Sequence, residues 1–438
     1  MEIDRQALRE VIADETRLVF GEEIPEKFLS DALGRRKGTA GVLAFPQTTE
    51  EVGGILRYAH KRHIPVTPRG AGTNLAGSTV PIQGGIILDF SRMNRILELD
   101  EDTMTVTAEP GVLLQDLQAY VEEKGFFYPP DPGEKASCIG GNISTNAGGM
   151  RAVKYGVTRD YVRGLEVVLA DGTVLNVGGK QVKDASGLSL KHLLIGSEGT
   201  LAVITKCVLR LLPKPAASVS VLVPYPDLNT GIRSVLTILR ADANPTAVEF
   251  MERKVVVLGE EFSGVRYPRP DAGSYILLTF DGHPGEVEAN TARVCELALK
   301  NDALDFIVLT DPAHRRPLFG RCAERWSKRW KRFPSRNRWT LWCPLTIRRI
   351  SPASSTSWKN PPECRWSAST MPETAMFICA LSAAAGTRRP GSVSSAPTWT
   401  PPMPKPIVWV AYPPASTASA CPSAGIFCGK RRRKIWPQ

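Results

Sequence analysis

Tryptophan is absent from residues 1–312 of this 438-residue chain, and aspartate is absent from residues 313–438. Both absences break at the same place. The later stretch carries 22 Lys and Arg against three acids (Glu324, Glu363, Glu373), whereas the earlier one carries 33 against 41. The formal net charge of +11 therefore averages two unlike segments and is no argument for an anionic partner. No apolar run approaches the roughly 20 residues needed to cross a bilayer, so no transmembrane segment is expected. Before residue 313 cysteine is limited to Cys138, Cys207 and Cys295, far apart and without metal-like spacing, which suits a reducing compartment. The polar start Met-Glu-Ile-Asp-Arg fits no secretory leader. The expectation is a cytoplasmic protein, with peripheral membrane contact left open. The basic tail has no sustained period and no recognisable scaffold, and its six cysteines are irregularly spaced, so no nucleic-acid partner is expected.

What is present in residues 1–312 is an ordinary alternation of apolar runs with Gly and Pro. Ile3, Leu8, Ile12 and Leu18 predict a helix over residues 4–19. A strand at 42–45 precedes a capped helix beginning at Thr48-Thr49-Glu50-Glu51 and running to about His63. Strands follow at 65–67, 85–90 and 104–108, with an amphipathic helix at 113–124. Asp171-Gly172 between two apolar runs reads as a hairpin over 167–175. A helix near 188–195 and a strand at 201–212 end at Pro213-Lys214-Pro215, a linker. A second α+β pattern follows: strands at 219–223, 247–251, 274–280 and 306–309, helices at 228–240 and 284–300.

Two glycine-rich loops carry the chemistry. The first, Pro68-Arg69-Gly70-Ala71-Gly72-Thr73-Asn74-Leu75-Ala76-Gly77-Ser78, follows a strand and fits neither the dinucleotide fingerprint nor the Walker loop. Its backbone N–H groups can form a nest for pyrophosphate with Arg69 as a nearby cation; a plain tight turn is the competing reading. The second, Gly140-Gly141-Asn142-Ile143-Ser144-Thr145-Asn146-Ala147-Gly148-Gly149, joins no amphipathic period. It lets backbone approach a planar ligand while Asn142, Ser144 and Asn146 offer hydrogen bonds. A third turn, Gly196-Ser197-Glu198-Gly199-Thr200, enters the closing strand. Together the three argue for a long, phosphate-containing cofactor. His60, His63, His192 and His283 have no evident catalytic partner and read as surface or packing residues.

These motifs, with Lys154-Tyr155-Gly156 and Gly196-Ser197-Glu198-Gly199-Thr200-Leu201, resemble the FAD-linked oxidases of the vanillyl-alcohol oxidase type. Among those the chain is most similar to the FAD-binding subunit of glycolate oxidase and to D-lactate dehydrogenases, over about residues 10–312. The resemblance implies an α+β fold: a two-subdomain FAD-binding domain at 1–212, then an incomplete α+β cap at 213–312. It implies that Pro68–Ser78 holds the pyrophosphate, that Gly140–Gly149 borders the isoalloxazine and phosphates, and that the Val203 and Ile204 backbone meets adenine. Pro132 and Ser137 fall on the cofactor by the same likeness. Thr73 and Asn74 stand where some members attach flavin covalently, so non-covalent FAD is implied. Leu188 replaces a common Tyr and Ala202 a common Gly, both tolerable. The implied activity is oxidation of a 2-hydroxy acid by hydride transfer to flavin. Electrons would pass to an electron-transfer flavoprotein, an iron–sulfur partner subunit or a quinone.

The family's cap should also carry His-Ala-Gly-Asp-Gly-Asn-Val-His and Glu-His-Gly-Ile-Gly, whose histidines resemble ligands for a divalent metal. Neither string occurs, so no metal ligand and no catalytic residue is assigned. Reading codons for the first string one nucleotide late gives Met371-Pro372-Glu373-Thr374-Ala375-Met376-Phe377-Ile378, which the chain contains. The second, read the same way, gives Ser416-Thr417-Ala418-Ser419-Ala420-Cys421-Pro422-Ser423, also present. Residues 324–344 shift back into a helix-then-strand pattern in the same frame. Residues 313–438 are thus read as an out-of-frame tail, disordered or non-native, with the shift between about residues 312 and 317 and an end short of the usual C-terminus. Activity of the chain as written is then impaired. A catalytically dead flavin-binding fragment, or a basic interaction protein, is the alternative.

Overall fold

The computed structural model describes residues 3–309 except residue 265; the reframed tail lies outside the described residues. The chain begins with helix α1 (Arg5–Val11), then strands β1 (Leu18–Phe20) and β2 (Val42–Ala44), helix α2 (Thr49–Arg62), and strands β3 (Val66–Arg69) and β4 (Ile86–Asp89). These strands make one sheet in the order β1-β2-β4-β3, parallel except at β1. The expected 4–19 helix stops at Val11: Asp14 takes the backbone N–H of Thr16 at 3.0 Å and its hydroxyl at 2.6 Å, and this local turn outcompetes helix. Helix α2 forms as predicted. Thr48 caps it by accepting from the Glu51 N–H at 3.2 Å, and His63 ends it in a left-handed conformation at φ 53°. Its Val52, Ile55, Leu56 and Ala59 are buried against Val42, Ala44, Ile86 and Leu88.

The second sheet is built from β5 (Ile96–Asp100), β6 (Thr105–Ala108), β8 (Val162–Val168), β9 (Val174–Gly178) and β10 (Val203–Arg210), ordered β5-β6-β10-β8-β9 and antiparallel throughout. Between them lie helices α3 (Leu114–Glu123), α4 (Ile139–Thr145), α5 (Ala152–Tyr155) and α6 (Leu190–Leu194), with β7 (Phe126–Phe127) pairing β11 (Leu212–Pro213). The predicted hairpin is the β8–β9 turn, where the Leu169 N–H donates to the Thr173 carbonyl at 2.8 Å and Gly172 sits at φ 84°. Helix α4 corrects the sequence reading, which left all of 140–149 as loop. Cys138 caps it and Asn146 stops it at φ 48°, so glycines form a helix because both ends are fixed from outside.

The third sheet follows the linker: β12 (Ala217–Tyr225), β13 (Ala247–Glu252), β14 (Ser274–Gly282) and β15 (Ile307–Leu309), ordered β13-β14-β12-β15 and antiparallel. Helices α7 (Leu228–Leu239) and α9 (Pro284–Lys300) pack on one face through Val221, Val223, Ile276, Leu278, Phe280, Val287 and Val294. Helix α8 (Arg253–Ser263), unforeseen in the sequence, packs on the other through Val256. The strands expected at 219–223, 247–251, 274–280 and 306–309 are all present.

Candidate cofactor site

The three glycine turns converge on α4. Gly70 lies so close to Cys138 that a Cβ there would meet its Sγ at 2.0 Å, and the Cys138 Sγ accepts from the Gly141 N–H at 3.4 Å. The third turn is tied to the other end of α4: Gly196 N–H donates to the Ile143 carbonyl at 3.1 Å and Glu198 N–H to the Ser144 carbonyl at 2.8 Å. Gly199 closes the ring, since a Cβ on it would lie 3.0 Å from Pro68. Burial pushes the Cys138 thiol up, and it acts as a small packing group rather than a nucleophile.

Within the first loop, Asn74 shapes the turn: its Oδ1 accepts from the Gly77 N–H at 3.1 Å and its Nδ2 donates to Thr79 at 2.8 Å. Gly72 and Gly77 take φ of 68° and 88°, conformations costly for other residues. Among the described residues no acceptor lies within reach of the N–H groups of Gly72, Thr73, Asn74, Leu75 or Ala76. Consecutive unclaimed donors of this kind are what a pyrophosphate requires. Arg69 does not stand beside them as a loose cation. Its guanidinium is buried and donates to the carbonyls of Ser30 at 2.9 Å and Lys27 at 2.8 Å, so it braces the loop from behind. Burial pulls its pKa down, while Asp89 and Asp31 act against that.

The second loop is committed differently. A Cβ on Gly140 would meet Pro110 at 2.4 Å and one on Gly149 the Asp131 carbonyl at 1.8 Å, so these glycines serve chain packing. Asn146 accepts from the Arg159 N–H at 2.9 Å. Gly141 and Gly148 sit near Cys138 and Val157, and Ser144 is half-buried. Asn142 is buried, and the Ser137 hydroxyl just before α4 is buried with no hydrogen-bond partner among the described residues. Beside Pro132, Asp131 is held by Lys135 at 2.8 Å and Arg151 at 3.5 Å. Val203 and Ile204 pair with Val168 and Val167 of β8, while β6 pairs with β10 only from Cys207 onward. The other backbone edge at Val203–Ile204 is therefore open to a ligand. Free donors, an orphaned hydroxyl and an open strand edge fit a long, phosphate-bearing cofactor.

Residues 40–178 match the FAD binding domain model, and residues 214–343 match the C-terminal domain model of the FAD linked oxidases. The chain is 34% identical over 323 residues to an uncharacterised FAD-linked oxidoreductase of Mycobacterium tuberculosis, covering 72% of this chain and 70% of that protein. The chain belongs to the FAD-linked oxidase family. The chain is also 42% identical to a D-lactate dehydrogenase of Anaerostipes hadrus and 40% identical to glycolate oxidase subunit GlcD of Bacillus subtilis. It spans 64% and 58% of those two relatives, and the matches cover 68% and 63% of this chain. Solved structures of alkyldihydroxyacetonephosphate synthase (TM-score 0.63, 21% identity, 74% of this chain and 69% of that one) and p-cresol methylhydroxylase (0.60, 19%, 72% and 68%) share the fold. FAD, bound non-covalently, is the cofactor of this family site.

One contact in the chain escaped sequence reasoning. Asp281 of β14 accepts three hydrogen bonds on a single oxygen, from Lys154 Nζ at 2.7 Å, the Tyr155 hydroxyl at 2.8 Å and the Thr246 hydroxyl at 2.7 Å. Lys154 and Tyr155 belong to α5, so the contact fastens the third sheet to the flavin-binding domain. Burial, reinforced by Asp281, holds the Tyr155 phenol protonated well above its ordinary range. The available signal was an acid inside an otherwise apolar strand. His63 ends α2, the His192 ring meets the Ser189 hydroxyl at 2.8 Å, and His283 precedes α9. Among the described residues no three His, Cys, Asp or Glu side chains gather in a way that could hold a metal. No described helix is long and apolar enough to cross a membrane.

Proposed function

We propose that this chain is the flavin-binding part of an FAD-dependent oxidoreductase that oxidises a 2-hydroxy acid of the glycolate or D-lactate type. The observation that carries the reading is the run of unclaimed N–H donors at Gly72–Ala76 in a chain resembling D-lactate dehydrogenase and a glycolate oxidase subunit. Bound flavin supplies the hydride-accepting chemistry. The chain's own part is to seat the pyrophosphate on the first loop, brace that loop with Arg69, and hold the third sheet over the site through Asp281. Its electrons would leave through an electron-transfer flavoprotein or an iron–sulfur partner subunit, in the cytoplasm.

Residues 313–438 are out of frame in this reading. The lost His-Ala-Gly-Asp-Gly-Asn-Val-His string favours a second reading, a flavin-binding chain without turnover. The C-terminal domain match runs to residue 343, past the inferred shift, which makes the DNA the arbiter. Resequencing codons 310–318 separates a sequencing error from a true lesion. The function is tested by purifying the chain as written and its frame-corrected form: both should be yellow, and D-lactate or glycolate should bleach the flavin of the corrected form. A colourless corrected form, or one bleached by neither acid, refutes the proposal. Bleaching of the chain as written refutes the reading without turnover.

A further inference from the structure

Buried carboxylates in the described residues are provided with partners. Glu109 meets Arg95 at 2.7 Å, Asp131 meets Lys135 at 2.8 Å, Asp281 meets Lys154 at 2.7 Å, and Glu260 meets Arg253 at 3.2 Å. Asp89 accepts from the Ser91 N–H at 3.0 Å and Asp31 from the Gly34 N–H at 2.9 Å. Glu249 stands apart. Its Oε1 is buried with no hydrogen-bond partner among the described residues, and burial alone pushes its pKa up to about 7.

Strand register shows which way Glu249 faces. Val248 and Phe250 pack with the α7 and α9 cluster, so Ala247, Glu249 and Met251 occupy the opposite sheet face. Their partners across β14 are Thr279, Leu277 and Tyr275, and Asp281 stands next along that same face. One end of the face is taken by α5 of the flavin-binding domain, through Lys154 and Tyr155. The other is covered by α8, whose Val256 joins Met251, Leu277 and Tyr275. Glu249 lies between these covers, on the side of the sheet that meets the flavin-binding domain.

The charged and titratable groups of the surrounding elements are already committed. Tyr275 donates to the Arg269 carbonyl at 2.8 Å and accepts from Arg253 at 3.0 Å. Arg253 also holds Glu260, while Lys154 and Tyr155 hold Asp281. Lys254 reaches Glu252 at 3.2 Å. Arg151, at the N-cap of α5, reaches Asp131 at 3.5 Å, and no described cation pairs with Glu249, so an ionised carboxylate there would stand uncompensated.

We propose that Glu249 is a ligand-contact residue: in its neutral form it donates a hydrogen bond to a carboxylate oxygen of the small anionic acid bound between this sheet face and the flavin. This rests on the hydroxy-acid reading above and adds a gate to it. An ionised Glu249 repels the anion and a neutral one receives it, so affinity falls as pH rises through the residue's titration.

The test uses the full chain and oxalate, an unreactive dicarboxylate, with binding measured by calorimetry from about pH 6 to about pH 9, bracketing the raised value. The dissociation constant should rise about tenfold per pH unit once Glu249 ionises. Glu249→Gln keeps a donor of the same shape without the proton and should flatten that dependence. Glu249→Leu should bind about tenfold more weakly than the parent at the acid end, having lost one hydrogen bond to a charged group. Equal pH dependence in the parent and Glu249→Gln overturns the proposal, as does an absence of oxalate binding at every pH. Flavin absorbance recorded on the same samples keeps the two readings apart: loss of flavin counts against the family site, whereas flavin retained with a flat oxalate profile counts against Glu249 alone.

Discussion

Removing the Asp281 carboxylate should separate the third sheet from the flavin-binding domain at a definable energetic cost. The Asp281 side chain is 7% exposed and that of Lys154 19%, so this is a largely dehydrated pair rather than a surface bridge. Surface pairs contribute about 0–1 kcal/mol, whereas removing one partner of a buried pair costs about 3–5 kcal/mol because the other charge is left behind. Two details decide between these limits. Lys154 keeps one acceptor, the Asp281 backbone carbonyl at 2.5 Å, in any variant, which lowers the penalty. Tyr155 and Thr246 lose theirs, which raises it by about 1 kcal/mol each. Asp281→Ala should therefore cost about 3–4 kcal/mol in denaturant unfolding. Asp281→Asn should cost about half as much, since all three side-chain donors converge on one oxygen that an amide can still present. Hydrogen exchange should accelerate in α5 and at the Thr246 end of β13 while α2 and the β8–β9 hairpin are unchanged. A loss below about 1 kcal/mol for Asp281→Ala, with α5 exchange unaltered, would refute the claim that this contact joins the two domains.

Three further outcomes test other parts of the structure. Ser137→Ala should leave the flavin-free protein as stable as the parent, because the hydroxyl has no partner among the described residues, yet weaken FAD about tenfold in fluorescence titration; a stability loss without an affinity loss contradicts its placement on the cofactor. Gly149→Ala drives a Cβ to 1.8 Å from the Asp131 carbonyl and should destabilise by about 1–3 kcal/mol, read by thermal melting, whereas Gly77→Ala, with nothing within 4 Å, should cost only the strain of its left-handed backbone. Burial would raise the Glu51 carboxyl, but donors from Arg17, Gln47 and Thr48 outweigh it and hold the pKa below its ordinary 4.5. Its contribution to stability is thus complete above that value and is lost as pH falls through the depressed one, so Glu51→Gln should flatten the acid limb of a stability-against-pH curve.

How much of this could be read from sequence depended on whether the signal was local. Helix α2 was legible because its cap, its period and its stop lie within sixteen residues, from Thr48 to His63. Strand β5 was missed because its apolar–polar alternation covers only Leu97 to Asp100, too short a run to stand out, and its burial does not follow that period, Leu97 being 40% exposed. Helix α4 was missed for a different reason: Gly140, Gly141 and Ser144 are poor helix formers, and what imposes the helix is Cys138 pinned against Gly70, a residue far away in the chain. Arg69 was located but its surroundings were not, because the carbonyls of Lys27 and Ser30 that claim it carry no sequence signature. Asp281 and Glu249 show that limit most clearly. Each is an acid set between apolar neighbours in its strand, yet Asp281 is neutralised by Lys154 across 127 residues while Glu249 Oε1 meets no partner among the described residues. A partner missing from an otherwise fully paired set of buried acids points to a ligand more strongly than any local motif in the third sheet does.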